Sequence, residues 1–295
     1  MVNKYRSFYY YIKKYKLKKN YSNDLDSWLF NNKYREVYNK LWLSYTQDID
    51  CAPMGIHPNK YPVIIKPIIN LYGMSRGFKI IRSEDEYERE IKVGYFWQPY
   101  FTGKHYCIDI VYGNKKIYYY TCLESYSKGE GIFEYHKFRK DYIIPKKIKK
   151  WLQKNLKDYR GCLNIEVIDC KIIECHLRLN GDFHLYDSKF IVALKEFEDK
   201  KKWKYKNSIN DRIIIPIFIN NKEIEDIKNK LIENSKLKRM ILNICRKYGC
   251  NTLDFCNIDS ISQREDNKRI LIFDIDNIED GIKCKSEIND ILIKK

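Results

Sequence analysis

The chain has 295 residues, 44% of them hydrophobic and 15% aromatic, and carries a formal charge of +17. That length and apolar content suit one large globular domain or two lobes with a sizeable core. No apolar run approaches the roughly 20 residues needed to cross a bilayer, and the N-terminus lacks the apolar core and cleavage site of a secretory signal; a soluble cytoplasmic protein with no membrane partner is expected.

The first twenty residues, MVNKYRSFYYYIKKYKLKKN, interleave lysines with Tyr9, Tyr10, Tyr11 and Tyr15 and contain no acid. Such a segment can track phosphates and stack bases, so nucleic acid is one candidate partner. Lys, Asn, Ile and Tyr are abundant along the whole chain, however, and part of the charge is compositional, so this reading is not the favoured one. Residues 23 to 45 carry apolar positions at helical spacing after several potential N-caps, which predicts one or two helices.

Beyond the Pro- and Gly-containing loop at 52 to 62, VIIK is bracketed by Pro62 and Pro67 and reads as a buried strand. FKII at 78 to 81 is its natural return strand, and SEDEYEREIK supplies an N-cap and early acids for a helix. Strands follow at YFWQPYF, HYCIDIVYG and KIYYYTCLE, the last two joined at Gly113 and Asn114 as a hairpin. PKKIKKWLQKNLK places Ile148, Trp151, Leu152 and Leu156 on one helical face. GCLNIEVIDCKIIECHLRLNGD at 161 to 182 reads as two short apolar strands joined by a tight connection. The last third alternates RIIIPIFI as a strand, two helices over 221 to 249, and RILIFDID as a strand. The charged stretch 195 to 212 is the expected boundary before this C-terminal α/β segment.

Ten cysteines are scattered singly with no CxxC pair, which fits buried free thiols in a reducing compartment. Cys245, Cys250 and Cys256 come closest to a metal pattern, but the spacing is wrong for a zinc ribbon and no histidine is near, so no zinc site is expected.

Glu166 and Glu174 lie on the paired short strands among Ile, Val and Cys, where bare carboxylates are costly unless compensated. A divalent cation on nucleotide phosphates takes one or two such carboxylates. His176 and Arg178 follow at period two, on the same face as Glu174. Upstream, Lys66 ends a buried strand, and Gly73, Ser75 and Gly77 give the next loop the freedom to approach a ligand. No GxxxxGK[ST] loop occurs.

In this order, PVIIKP with its glycine- and serine-containing loop, QPYFTGKHYCIDIVYGNK, GCLNIE and IIECHLRLNGD together resemble the motifs of ATP-grasp ligases, in the branch that joins carboxylates to amines. The resemblance spans roughly residues 35 to 190. It implies an α+β fold in which two α/β lobes with mainly antiparallel sheets clamp a nucleotide. The division it suggests is a shortened helical region at 1–60, a catalytic core at 61–200 and a C-terminal α/β segment at 201–295. It also implies ATP with magnesium or manganese, and an acylphosphate formed from a small carboxylate and attacked by an amine.

By position, the resemblance gives Lys66 and Lys40 to the phosphates and Gly73, Ser75 and Gly77 to the covering loop. Gln98, Pro99, Tyr100 and Phe101 become the adenine hinge, Glu166, Glu174 and His176 the metal ligands, and Arg178 the partner of the acylphosphate. His176 stands where the family most often has a metal-binding Asn, and imidazole suits softer metals than magnesium. The preceding α/β domain of the family does not fit in residues 1 to 62. A non-catalytic scaffold therefore stands beside the ligase reading, as does the nucleic-acid reading.

Overall fold

The computed structural model describes residues 14–17, 23–73, 75–127, 132–180, 186–206, 211–220, 223–225, 227, 235–256 and 267–293. Most of the basic aromatic N-terminus, together with Gly181 and Asp182 of the last motif, lies outside the described residues.

The N-terminal helical stretch is three short pieces: α1 (Asp24–Phe30), a 3-10 turn (Asn32–Tyr38) and α2 (Lys40–Tyr45). Asparagine side chains set the starts of both α-helices. Asn23 accepts from the Asp26 N–H at 2.8 Å, and Asn39 from the Trp42 N–H at 2.9 Å.

A four-stranded antiparallel sheet follows, in the order β1 (Ala52–Pro53), β4 (Tyr95–Pro99), β2 (Val63–Pro67), β3 (Lys79–Ile81). Val63 and Ile65 point to one face, as alternation requires, and pack with Ile81 and Trp97 against Tyr87 of α3 (Glu84–Arg89). Ser83 caps α3, and its three first-turn acids complement the helix dipole.

The larger sheet has eight antiparallel strands in the order β11 (Thr252–Phe255), β12 (Asn267–Ile275), β10 (Ile213–Asn220), β7 (Phe133–Phe138), β6 (Lys116–Ser127), β5 (His105–Gly113), β8 (Gly161–Ile168), β9 (Lys171–His176). Its centre is covered on both faces. Ile108, Ile110 and Tyr112 of β5 pack under α4 (Lys146–Asn155), whose Ile148, Trp151 and Leu152 are the face read from the sequence. Cys107 and Val111 face the other way, toward Phe190, Ile191, Leu194 and Phe197 of α5 (Ser188–Lys200). These four α5 side chains are fully buried, at about 2 kcal/mol of hydrophobic stabilisation apiece.

The β5–β6 turn is one residue later than expected. Gly113 still pairs with Lys116, and the two-residue loop is Asn114 and Lys115, both with positive φ. Lys195 to Lys200 of the expected charged boundary belong to α5. The strands beyond it extend the same sheet, because β10 pairs with β7 at Ile213 and Ile214. Pro216 follows where that pairing has ended, so its missing N–H costs no bond to β7. Over this end of the sheet lie α6 (Ser235–Lys247) and α7 (Ile278–Ile293).

Candidate functional site

The two sheets face each other across a cleft of about 410 Å³. The small sheet contributes Ile64, Lys66 and Gln98, and the large one Glu124, Ser125, Glu166 and Glu174.

β8 and β9 form a tight hairpin turned by Asp169 and Cys170, both at positive φ. The register sets Glu166 directly opposite Glu174 and then shifts, pairing Val167 with Ile172, so that Ile173 is an extra residue on β9. Its carbonyl accepts a hydrogen bond from Lys66 Nζ at 3.2 Å. One bulge thus ties the strand lysine of the small sheet to the acidic hairpin of the large one.

The facing carboxylates are compensated separately. Lys40 Nζ lies 2.5 Å from Glu174 Oε1, and His176 Nε2 lies 3.2 Å from Oε2. His105 Nε2 meets Glu166 Oε2 at 3.0 Å. Burial opposes the charge of Glu174, but Lys40, His176 and Lys66 hold its pKa well below the usual carboxylate range. For Lys66, burial and then the neighbouring Lys40 pull the pKa down to about 8, while Glu174 and Glu166 resist.

His176 is bracketed by acids. Its Nδ1 meets Asp24 Oδ1 at 2.9 Å, and the other Asp24 oxygen takes Arg178 Nη2 at 2.7 Å. Burial disfavours the imidazolium, yet Asp24 raises the His176 pKa to about 9. Asp24 is itself held ionised far below its usual range, against its burial, by Arg178 and His176.

Ligand atoms of Glu166, Glu174 and His176 fall within 4.8 Å of one another. Two carboxylates on facing strand positions suit a divalent cation that also takes phosphate oxygens and water. The donor set therefore fits the implied cation through its two glutamates. The imidazole has both nitrogens engaged, one by Asp24 and one by Glu174.

The remaining predicted residues divide by place. Ser75, Gln98, Tyr100 and Phe101 line the cleft along with Lys40. Gln98 is buried, its Oε1 accepting from Ser44 Oγ at 2.8 Å. Pro99 is the last residue of β4 and pairs with Val63. Gly73, Ser75 and Gly77 turn the β2–β3 loop with φ of 69°, 51° and 70°, and a Cβ on Gly77 would strike the Tyr95 hydroxyl. Gly77 borders a second cavity beneath this loop. Arg178 lies beyond β9, behind the cleft wall, where Asp24 fixes it.

Several polar residues that sequence reasoning missed also belong here. Glu124 is 2% exposed and is neutralised by Lys104 at 3.2 Å and by a close ion pair with Arg139. Its place inside the apolar run of β6 was the available signal. Asp109 lies beneath the floor, accepting from Asn164 Nδ2 at 2.7 Å, the Asn180 N–H at 2.8 Å and the Tyr186 hydroxyl at 2.6 Å. It ties β5, β8 and the chain leaving β9 into one unit.

No protein-family model matches the sequence, and no curated protein matches it. Solved structures do. An L-amino acid ligase from Bacillus licheniformis superposes with a TM-score of 0.55 at 10% identity, covering 92% of this chain and 71% of that one. N5-carboxyaminoimidazole synthetase from Staphylococcus aureus, complexed with ADP, gives 0.57 at 12% identity, covering 91% and 77%. Carboxyaminoimidazole ribonucleotide synthase from Aspergillus clavatus, complexed with ATP, gives 0.57 at 10%, covering 88% and 73%. At such identities the likeness establishes the fold, which is the ATP-grasp fold.

Proposed function

We propose that the cleft binds ATP with magnesium or manganese and uses it to join a small carboxylate to an amine. The observation that carries this reading is the convergence of Lys40, Lys66, Glu166 and Glu174 on one cleft between the two sheets. The similar structures solved with ATP and with ADP support it, as does the likeness to an L-amino acid ligase.

When bound, ATP and its cation would supply the phosphoryl group that activates the carboxylate as an acylphosphate. The chain's own part is positioning and charge. Glu166 and Glu174 would hold the cation, with His176 joining only if its Nε2 gives up its proton. Lys66 and Lys40 would neutralise phosphate, and the loop of Gly73, Ser75 and Gly77 would cover it and exclude water. Gln98, Pro99, Tyr100 and Phe101 would line the base. Arg178, held by Asp24 outside the cleft lining, would reach the acyl group only by giving up that pair. Losing one such charge in a closed site costs about 3 kcal/mol of transition-state stabilisation.

A second reading, nucleotide binding without turnover, draws on the two engaged nitrogens of His176. One experiment separates the readings. Thermal melting with magnesium and ATP at 100 times the dissociation constant should add about 2.7 kcal/mol of stability, and Lys66→Met should lose the gain. ADP or phosphate release is then screened over amino acids and other carboxylates with amine acceptors. A shift without release on any pair selects the non-catalytic reading, and no shift rejects both.

A further inference from the structure

The third hydrophobic core, between α6, α7 and the strands β10 and β12, contains a feature outside the cleft. Cys245 near the end of α6, Cys250 just after it, and Cys284 in α7 bring their Sγ atoms within 4.8 Å of one another. The Cys250 and Cys284 sulfurs are 3.7 Å apart. Gly249, at φ 74°, turns the chain at the end of α6, and the Cys250 N–H bonds back to the Cys245 carbonyl at 2.8 Å, which fixes two of the three thiols relative to each other.

Burial alone explains each thiol as a small apolar filler. It gives no reason for three sulfurs from two helices and a turn to meet one another rather than the surrounding Ile241, Ile244 and Ile288.

The spacing matches a ligand set. Three sulfurs at about 2.3 Å from one ion lie roughly 4 Å apart in a planar trigonal arrangement. The separations present, 3.7 Å between Cys250 and Cys284 and none above 4.8 Å, bracket that value. The group contains no histidine or carboxylate donor among the described residues. Glu287, whose charge reaches Cys284, has its Oε2 taken by Lys247 at 2.7 Å and Tyr248 at 2.9 Å. Thiolate ligands select soft ions such as copper(I) and zinc(II), and structural zinc is almost always four-coordinate. Three sulfurs with no fourth donor in the group leave zinc(II) one ligand short and favour copper(I) on coordination number.

We infer that Cys245, Cys250 and Cys284 form a three-thiolate site for one copper(I) ion, distinct from the oxygen-donor site at Glu166 and Glu174. Cys256, six residues beyond Cys250, is not among the three sulfurs that meet. Copper stays in the +1 state throughout. Each ligating thiol gives up its proton to solvent, so loading releases up to three protons and tightens as pH rises. The Cys250 sulfur, whose residue is 7% exposed against 0% for the other two, marks the entry side.

The test uses the full chain, reduced and kept anaerobic, titrated with copper(I) delivered from its acetonitrile complex. One equivalent should bind with a thiolate-to-copper charge-transfer band, unchanged in Cys170→Ser and Glu174→Gln and lost in Cys245→Ser and Cys284→Ser. Because a core substitution can unfold the segment, copper-edge X-ray absorption on the unaltered protein provides the second measurement, with three sulfur neighbours expected. A neighbour shell containing nitrogen or oxygen overturns the assignment. So does a band that survives loss of both Cys245 and Cys284, or zinc(II) displacing the copper at equal concentration.

Discussion

Arg178 donates to Asp24 at 2.7 Å across 154 positions of sequence. The same carboxylate holds His176, so one residue of the first helix neutralises two cations at the end of β9. Asp24 is 4% exposed, and a buried charge left unpaired is far more costly than the pair is worth. Asp24→Asn keeps the shape and removes the charge. It should lower the unfolding free energy by about 3 kcal/mol in urea denaturation. A loss below about 0.5 kcal/mol, the range of ordinary surface changes, would mean that water already screens the triad.

Lys66 combines a functional position with a cost to the fold. Its folded pKa, about 8, lies below the 10.5 of a free lysine. In the nucleotide-free protein the buried charge therefore destabilises fully below pH 8. That cost is relieved as pH rises from 8 to 10.5, where the unfolded chain holds the proton that the folded one has lost. Lys66→Met should thus melt higher than the unaltered protein at pH 7, by up to about 3 kcal/mol less the lost bond to Ile173. The advantage should shrink toward pH 10.5. Nucleotide affinity should move the other way, absent in the variant at every pH and falling in the unaltered protein above pH 8. Paired denaturation and calorimetric titrations over pH 7 to 10 check both signs.

The facing glutamates should differ in what their loss does. Glu166 meets His105 at a partly exposed position, so Glu166→Gln should leave stability nearly unchanged while weakening the dependence of nucleotide binding on magnesium. Glu174 is the counter-ion of buried Lys40, and Glu174→Gln should abolish turnover, with a loss of about a hundredfold or more, and also lower stability by about 2 kcal/mol. Magnesium titrations at fixed ATP, read beside urea curves, separate the two effects. Equal behaviour of the two variants would contradict the asymmetry of their partners.

Much of this arrangement was legible because it is local. The β8–β9 hairpin, the strand ending in Lys66 and the buried face of α4 each follow from periodicity and turn residues within a short window. What escaped was set by distant partners or small offsets. Nothing near Asp24 marks it as the counter-ion of residues on β9. The bulge that frees the Ile173 carbonyl is a one-residue shift with no sequence signature. Cys284 joins Cys245 and Cys250 only because α7 packs on α6, which spacing along the chain cannot reveal. The helix α5 is legible in principle from Phe190, Ile191, Leu194 and Phe197 on one face, but its second half is so rich in charge that it reads as part of the stretch 195 to 212.

Gly281 tests how tightly the C-terminal helix sits on the sheet. It is buried in α7, where alanine would ordinarily gain about 1 kcal/mol of helix propensity. A Cβ there would strike Ile215 Cδ1 of β10 and come within 3.0 Å of Ile275 Cγ2 of β12. Overpacking of this kind costs about 1 to 3 kcal/mol, so Gly281→Ala should destabilise by about 1 kcal/mol net. The clash with Ile215 falls on the terminal methyl that valine lacks. Gly281→Ala combined with Ile215→Val should therefore be more stable than the two single losses add up to, by at least about 0.5 kcal/mol. Additive losses would place the strain on Ile275, whose Cγ2 is fixed close to the backbone and cannot swing away.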